Sequence, residues 1–372
     1  MKPQRVNPLS RNLRWKFVVI AASMTIVQSA NAFPGDPFPV KETFIRSLAK
    51  APIAFSNDPQ VRTYIERFVT IGKKDTEATL GRALYYFPLI EERLEWYKLP
   101  TALKYLPLVE SMLRPEVTSP VGAAGIWQIM PITARHFGLV VNENVDERRD
   151  FFASTEAAAK LLSLLYEEFD DWHLVLAAYN CGPGKVRQAI RRADSRDYSD
   201  IKPFLPLQTR NYLSKFTAMA QVAAFSGYYG LKPQMPEIYA EPRQILHIQE
   251  ARSIAQLADI CGVSPQLIRQ YNPAYVGLRL PHRAEGYRLV LPVEVAGQYY
   301  AYQGETSLIK ETAMAGIKSK AAAQAFAQEP IPVDIPVKRQ LSRNTQPHRI
   351  PVEDQDVPFT RYYFSRRWQD AA

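Results

Sequence analysis

The sequence predicts a mainly α protein followed by a small α+β module. Three observations carry that prediction. Apolar residues recur at three- and four-residue spacing from about residue 59 to 228, with little strand signal. From about residue 243 the pattern changes to two short β-type runs that bracket two short helical ones. The composition, 47% hydrophobic and 22% charged over 372 residues, is that of an ordinary globular chain; it excludes global disorder and fibrous repeats.

The elements follow in chain order. Residues 1–32 read as an export signal peptide. Lys2, Arg5, Arg11, Arg14 and Lys16 precede an apolar run, Phe17 to Val27, and Ser29-Ala30-Asn31-Ala32 supplies the small residues that a signal peptidase accepts. Eleven residues are too few for a bilayer, which needs about 20. Removing the five leader cations leaves 41 basic against 37 acidic residues, a net +4 in place of +9. That mild bias makes no case for nucleic acid. Residues 33–58 form a Pro-containing linker.

The helical block spans 59–228. Val61, Ile65, Phe68 and Val69 share one face, and Leu80, Leu84, Phe87, Ile90 and Leu94 continue the pattern to Tyr97. Pro100 opens a further helix, in which Pro107 predicts a kink or a tight first turn. Residues 114–125 are rich in turns. Ser154 or Thr155 is expected to cap a helix running to Phe169, and further helices are expected at 172–180, 183–192 and 208–227. Residues 243–296 read as strand, helix, helix, strand. Beyond Gln303 an Ala-rich stretch, Ala313 to Gln328, leads into a Pro-containing tail, so that 304–372 is expected to be partly disordered.

Residues 105–135 carry the chemistry. Glu110 follows Leu108 and Val109 and precedes Met112. A carboxyl in apolar surroundings holds its proton to higher pH, as a general acid requires; the bland alternative is a helix-end Glu pointing to water. Gly122 to Gly125 leaves room for close backbone approach. Ser119, Gln128 and Thr133 lie near Trp127, a composition that suits a sugar site, although a single Trp is more often core. Tyr179 and Asn180 stand at a helix end before Gly182 and Gly184. The five His are scattered and the two Cys lie in different domains, so no metal, cofactor or disulfide framework is expected.

Together these residues resemble the soluble-lytic-transglycosylase (SLT) domain, most nearly that of the membrane-bound lytic murein transglycosylase D family. The resemblance rests on Glu110-Ser111, Pro115, Ser119, Gly122, Gly125, Trp127-Gln128, Met130-Pro131, Thr133, Asp146 to Asp150, Ala177 to Gly184, and Leu205 to Lys215 with Tyr212. It implies a lysozyme-like helical fold with Glu110 as the acid/base. Ser119 and Tyr212 would orient Glu110 and the sugar, and Gln128, Met130, Tyr179 and Asn180 would contact saccharide. The implied substrate is the peptidoglycan glycan strand, cut at the β-1,4 MurNAc–GlcNAc bond with a 1,6-anhydro end formed, in a periplasmic, wall-associated setting. The run Asp146 to Asp150 reads as an ion-paired structural turn. Cys181 and Gln208 depart from the family's usual Ala and Glu, and the Cys that anchors some relatives to lipid is absent.

Residues 243–296 resemble a LysM module through Ser253-Ile254, Leu257-Ala258, Gly262-Val263-Ser264, Leu267, Tyr271-Asn272-Pro273 and Leu289 to Pro292. Its usual Gly-Asp-Thr opening is Glu250-Ala251-Arg252 here, so the fold is better supported than glycan binding. Two alternatives stay open: a muramidase hydrolysing the same bond, with Glu116 as the first candidate for a second carboxylate, and a non-catalytic peptidoglycan-binding scaffold.

Overall fold

The computed structural model describes residues 58–304. The expected signal peptide, nearly all of the linker, and the tail beyond Gly304 lie outside the described residues.

Helix α1 (Pro59–Val69) starts on Asp58, whose side chain accepts from the Gln60 amide. The expected continuous run to Tyr97 is broken at Thr70–Gly72. There the Gly72 amide turns back to the Arg67 carbonyl, and the Thr76 hydroxyl bonds the Phe68 carbonyl. Local hydrogen bonding closes the turn although the apolar periodicity runs on through it. Helix α2 (Lys73–Trp96) follows. A 3-10 turn (Thr101–Tyr105) leads into α3 (Leu106–Glu110), in whose first turn Pro107 sits. That is the tight-turn alternative rather than a mid-helix kink, because a first-turn proline forfeits no helix hydrogen bond.

After the irregular 111–130 segment come α4 (Pro131–His136), a 3-10 turn (Glu147–Arg149) and α5 (Phe151–Phe169). Helix α5 begins earlier than Ser154 or Thr155 predicted. Asp150 caps it, accepting from the Ala153 amide at 2.7 Å. Ser154 and Thr155 instead lie buried in the first turn and bond the Phe151 carbonyl. Helices α6 (Trp172–Cys181), α7 (Pro183–Ala193), α8 (Tyr198–Ile201) and α9 (Leu207–Ala224) complete the block. Tyr212, Phe216, Met219, Ala220 and Val222 are all buried, so α9 is the core helix against which α1, α3 and α6 pack.

A short α10 (Glu237–Ala240) precedes the second region. There β1 (Arg243–Ile248) pairs antiparallel with β4 (Tyr287–Pro292), Arg243 opposite Pro292 and Ile248 opposite Tyr287. The short β2 (Arg252–Ser253) and β3 (Arg279–Leu280) form a second antiparallel pair. Between them α11 (Ile254–Cys261) starts with a capping box from Ser253 and Gln256, and α12 (Pro265–Tyr271) is capped by Ser264. Buried Asn272 ties the end of α12 to β4: its amide donates to the Ile268 and Val290 carbonyls and its oxygen accepts from the Val290 amide. The short β2 and β3, the short helices α4, α8 and α10, and one longer element were not expected. Helix α13 (Val293–Gln303) buries Ala296, Tyr299 and Tyr300 against the module, carrying it past residue 296.

Candidate active site

Glu110 is the last residue of α3. Immediately after it the chain takes a left-handed course at Met112 (φ 58°) and Leu113 (φ 56°), rare for residues with side chains. The Ser111 hydroxyl holds this bend by donating to the Ile126 carbonyl at 2.9 Å, and the Leu113 amide returns to the Pro107 carbonyl. The carboxyl is thereby turned out of the helix while remaining half-buried among packed side chains.

Burial and two neighbouring groups define its chemistry. Burial pushes the Glu110 carboxyl from an ordinary 4.5 up to about 7. Two groups act in the opposite direction: the Tyr212 hydroxyl, which donates to the carboxylate oxygen, and the Lys215 ammonium. Lys215 also donates to the Val109 carbonyl. Tyr212 and Lys215 lie three residues apart on α9 and so face the same side of that helix. Desolvation, with the Glu110 charge beside it, drives the Tyr212 phenol well above its ordinary range, so it stays a donor throughout the neutral region. The outcome is a carboxyl that is about half protonated at neutral pH, able to give a proton and to take one back.

The cleft loop beside it is built by backbone pairing. Thr118 bridges Ala124, and Ala124 bridges Ile129. Gly125 (φ 82°) sits so close to the chain of Arg148 that a Cβ would fall 1.7 Å from its carbonyl oxygen. Arg148 is buried, pairs through its Nε with Asp146 at 2.8 Å, and donates to the Gly122 and Ile129 carbonyls. The run Asp146 to Asp150 is thus an ion-paired turn with a further task, holding both ends of the loop.

The expected site residues divide into two groups. Glu110 and Tyr212 are in direct contact, and Tyr179 lies near Tyr212. The Tyr179 hydroxyl donates to the Trp127 carbonyl at 2.7 Å, linking α6 to the loop. Asn180 accepts from the Thr209 hydroxyl at 2.9 Å. Ser119 uses its hydroxyl to accept from the Ala123 amide, and no hydrogen bond joins it to Glu110. Gln128, at φ 49°, donates its side-chain amide to the Val117 and Gly125 carbonyls, which leaves its oxygen unspent on those bonds. Met130 is half-buried at the loop's end. Trp127 is fully buried, with its indole N–H on Thr155, so it is a core residue and not a stacking surface for sugar.

Lys215 was missed by sequence reasoning, although its place one turn beyond Tyr212 was a usable signal. Glu116 is exposed and does not figure among the groups that set the Glu110 proton affinity. A groove of about 380 Å³ adjoins the site through Met112 and Lys215, with Tyr64, Phe68 and Met219 also in its wall. No cluster of metal-ligating side chains occurs among the described residues.

Two family models match separate parts of the chain. Residues 88–202 match the Transglycosylase SLT domain, and residues 245–307 match the LysM-like domain of lytic transglycosylase MltD. The chain therefore carries an SLT domain and, after it, an MltD-type LysM-like domain. It is 35% identical over 242 residues to membrane-bound lytic murein transglycosylase D of Escherichia coli (strain K12), covering 63% of this chain and 52% of that protein. It is 33% identical over 129 residues to the soluble lytic murein transglycosylase of the same organism, covering 32% and 19%. The chain thus spans about half the length of the transglycosylase D that it matches. The 70 kDa soluble lytic transglycosylase of Escherichia coli, a solved structure, aligns over 50% of this chain and 35% of its own at 21% identity and TM-score 0.36.

Proposed function

We propose that the chain is a lytic transglycosylase that cleaves the β-1,4 MurNAc–GlcNAc bond of peptidoglycan and leaves a 1,6-anhydro-MurNAc end. The observation that carries the reading is the half-buried carboxyl of Glu110, poised near neutrality by desolvation against the Tyr212 hydroxyl and the Lys215 ammonium. The SLT-domain match over 88–202 supports the substrate class.

Protonated Glu110 gives its proton to the glycosidic oxygen as the C1–O bond breaks with oxocarbenium character. Tyr212 and Lys215 stabilise the carboxylate that results. That carboxylate then takes the proton from the C6 hydroxyl of the same MurNAc, whose oxygen closes onto C1. Glu110 ends protonated, as it began, and no water is consumed. A retaining hydrolase would need a second carboxylate about 5–5.5 Å away. Glu116, the first candidate for it, is exposed and is not among the groups that act on the Glu110 carboxyl. An internal nucleophile also has a high effective concentration.

The setting follows from the substrate: a periplasmic, wall-associated enzyme exported by the leader at residues 1–32. No helix among the described residues is long and apolar enough to cross a membrane. The reading is tested by incubating purified sacculi with the protein and with Glu110→Gln. Loss of turbidity with the first and none with the second is the expected result. Equal clearing by both would remove Glu110 from the chemistry. Binding without clearing by either would favour a scaffold.

A further inference from the structure

We propose that the LysM-like module positions the catalytic cleft loop, acting on the cleavage step itself and not only as a tether for glycan. The proposal rests on the transglycosylase reading for its kinetic consequence, and on independent geometry for its mechanical one.

The module's core is incomplete without a piece of the catalytic region. Val145, fully buried, belongs to the cluster formed by Leu246, Leu257, Ile268 and Leu289, and Val140 packs against it. Val145 bridges Tyr275 in antiparallel fashion. The Asp146 amide donates to the Ala274 carbonyl at 2.8 Å, and the Val276 and Gly277 amides both donate to the Asn144 carbonyl at 3.0 Å. The approach is close: a Cβ on Gly277 would fall 2.5 Å from the Asn144 Cα. Two ion pairs flank this seam. Arg283 pairs with Glu147, and Arg288 donates to Asp150 at 2.7 Å while lying over the Phe152 ring.

The same turn faces the other way with its two middle residues. Glu147 and Asp150 reach the module, whereas Arg148 and Arg149 reach the cleft loop. Arg148 donates to Gly122 at 2.6 Å and to Ile129 at 3.2 Å, and Arg149 donates to the Thr118 hydroxyl at 2.9 Å. The loop so held carries Ser119, Gln128 and Met130. Module, turn and loop therefore form one chain of direct contacts. Its middle member, Asp146 with Arg148, is a buried ion pair whose two carboxylate oxygens are both occupied by the guanidinium. Such a pair is rigid because any displacement leaves a buried charge uncompensated. A tether would need none of this, since a flexible linker raises the local substrate concentration equally well. Arg148 is accordingly a positioning residue, and Arg283 and Arg288 hold the turn in which it sits.

The test uses the full chain carrying Arg283→Gln together with Arg288→Gln, which leaves every cleft residue in place, and a second variant, Val145→Ala, which thins the shared core. The substrate is a soluble tetrasaccharide of alternating GlcNAc and MurNAc, too short to occupy the cleft and the module together. Hydrogen exchange of residues 117–130 is followed in parallel. The expected result is faster exchange across 117–130 and a kcat about threefold or more lower, with KM and the pH profile unmoved. Unchanged kcat on the tetrasaccharide with reduced clearing of sacculi would make the module a tether alone and overturn the proposal. Unchanged exchange at 117–130 in both variants would overturn it too, whatever the rates. If the unaltered protein cleaves neither substrate, the transglycosylase reading fails, while the exchange measurement still decides whether the module holds the loop.

Discussion

Replacing Glu110 by Gln should make the protein more stable at neutral and alkaline pH and leave it unchanged in acid. The carboxyl ordinarily ionises at 4.5 and here is pushed up to about 7 by burial. Between those values the folded protein binds the proton that the unfolded chain has released, so stability falls as pH rises through the interval. Below pH 4.5 both states carry the neutral acid and the penalty is absent; above 7 it is complete. Each pH unit of separation is worth about 1.4 kcal/mol, which sets a ceiling of roughly 3 kcal/mol. Solvent reaches part of this carboxyl, so screening lowers the figure to about 2 kcal/mol. Gln has nearly the same shape and keeps an oxygen to accept from Tyr212, so no cavity offsets the gain. For a folded region of this size the gain is a rise in Tm of about 4–8 °C. Thermal unfolding of both proteins from pH 4 to pH 9 reads it directly: the curves should coincide near pH 4 and separate above pH 7. A pH-independent difference, or a Gln variant less stable at pH 8, would refute the claim that burial strains this carboxylate.

Further outcomes follow from the same geometry. Cleavage needs the protonated acid, so kcat/KM should fall tenfold per pH unit above about 7 in a pH–rate profile. Tyr212→Phe removes a hydrogen bond that lowers the Glu110 pKa; the alkaline limb should move up, and loss of about 1.5–3 kcal/mol of charge-assisted bonding should cost roughly ten- to hundredfold in kcat. Lys215→Met should move the same limb upward, and a limb that stays put would remove Lys215 from the site's electrostatics. Arg148→Met takes from buried Asp146 its bidentate partner and leaves it only Arg149, at 3.5 Å, so it should destabilise the protein by up to about 3–5 kcal/mol in denaturant unfolding. Gly125→Ala drives a methyl into the Arg148 carbonyl and should cut activity far more than Gly122→Ala, whose added carbon meets no atom within 4 Å.

Much of this arrangement could be read before the structure. The helical block, both helices of the module and its outer strands follow from apolar spacing and from caps such as Ser253 and Ser264, because these are local signals. The meeting of Glu110 with Tyr212, 102 residues apart, came from resemblance and not from periodicity. Other features left no local trace. The break between α1 and α2 depends on hydrogen bonds at Gly72 and Thr76, through which the apolar pattern passes unaltered. Asp150 outcompetes Ser154 and Thr155 as a cap because it precedes them by a full turn, and only the structure shows where the chain enters the helix. Helix α13 was masked by Pro292, a plausible strand terminator that is equally a helix opener. The contacts of Arg283 and Arg288 span 136 and 138 residues, and an exposed-looking Arg carries no mark of its distant partner. Trp127 shows the converse: its polar neighbours invite a sugar-site reading, yet Thr155 takes its N–H within the core.

The central claim is that one carboxyl performs both proton transfers and that the substrate's own hydroxyl closes the reaction. Mass spectrometry of the muropeptides released from sacculi tests it most directly. The account predicts products lighter by one water than their hydrolytic counterparts, with no reducing ends, and none at all from Glu110→Gln. Reducing-end products from the unaltered protein would contradict it, since they require a water and a second group to activate it.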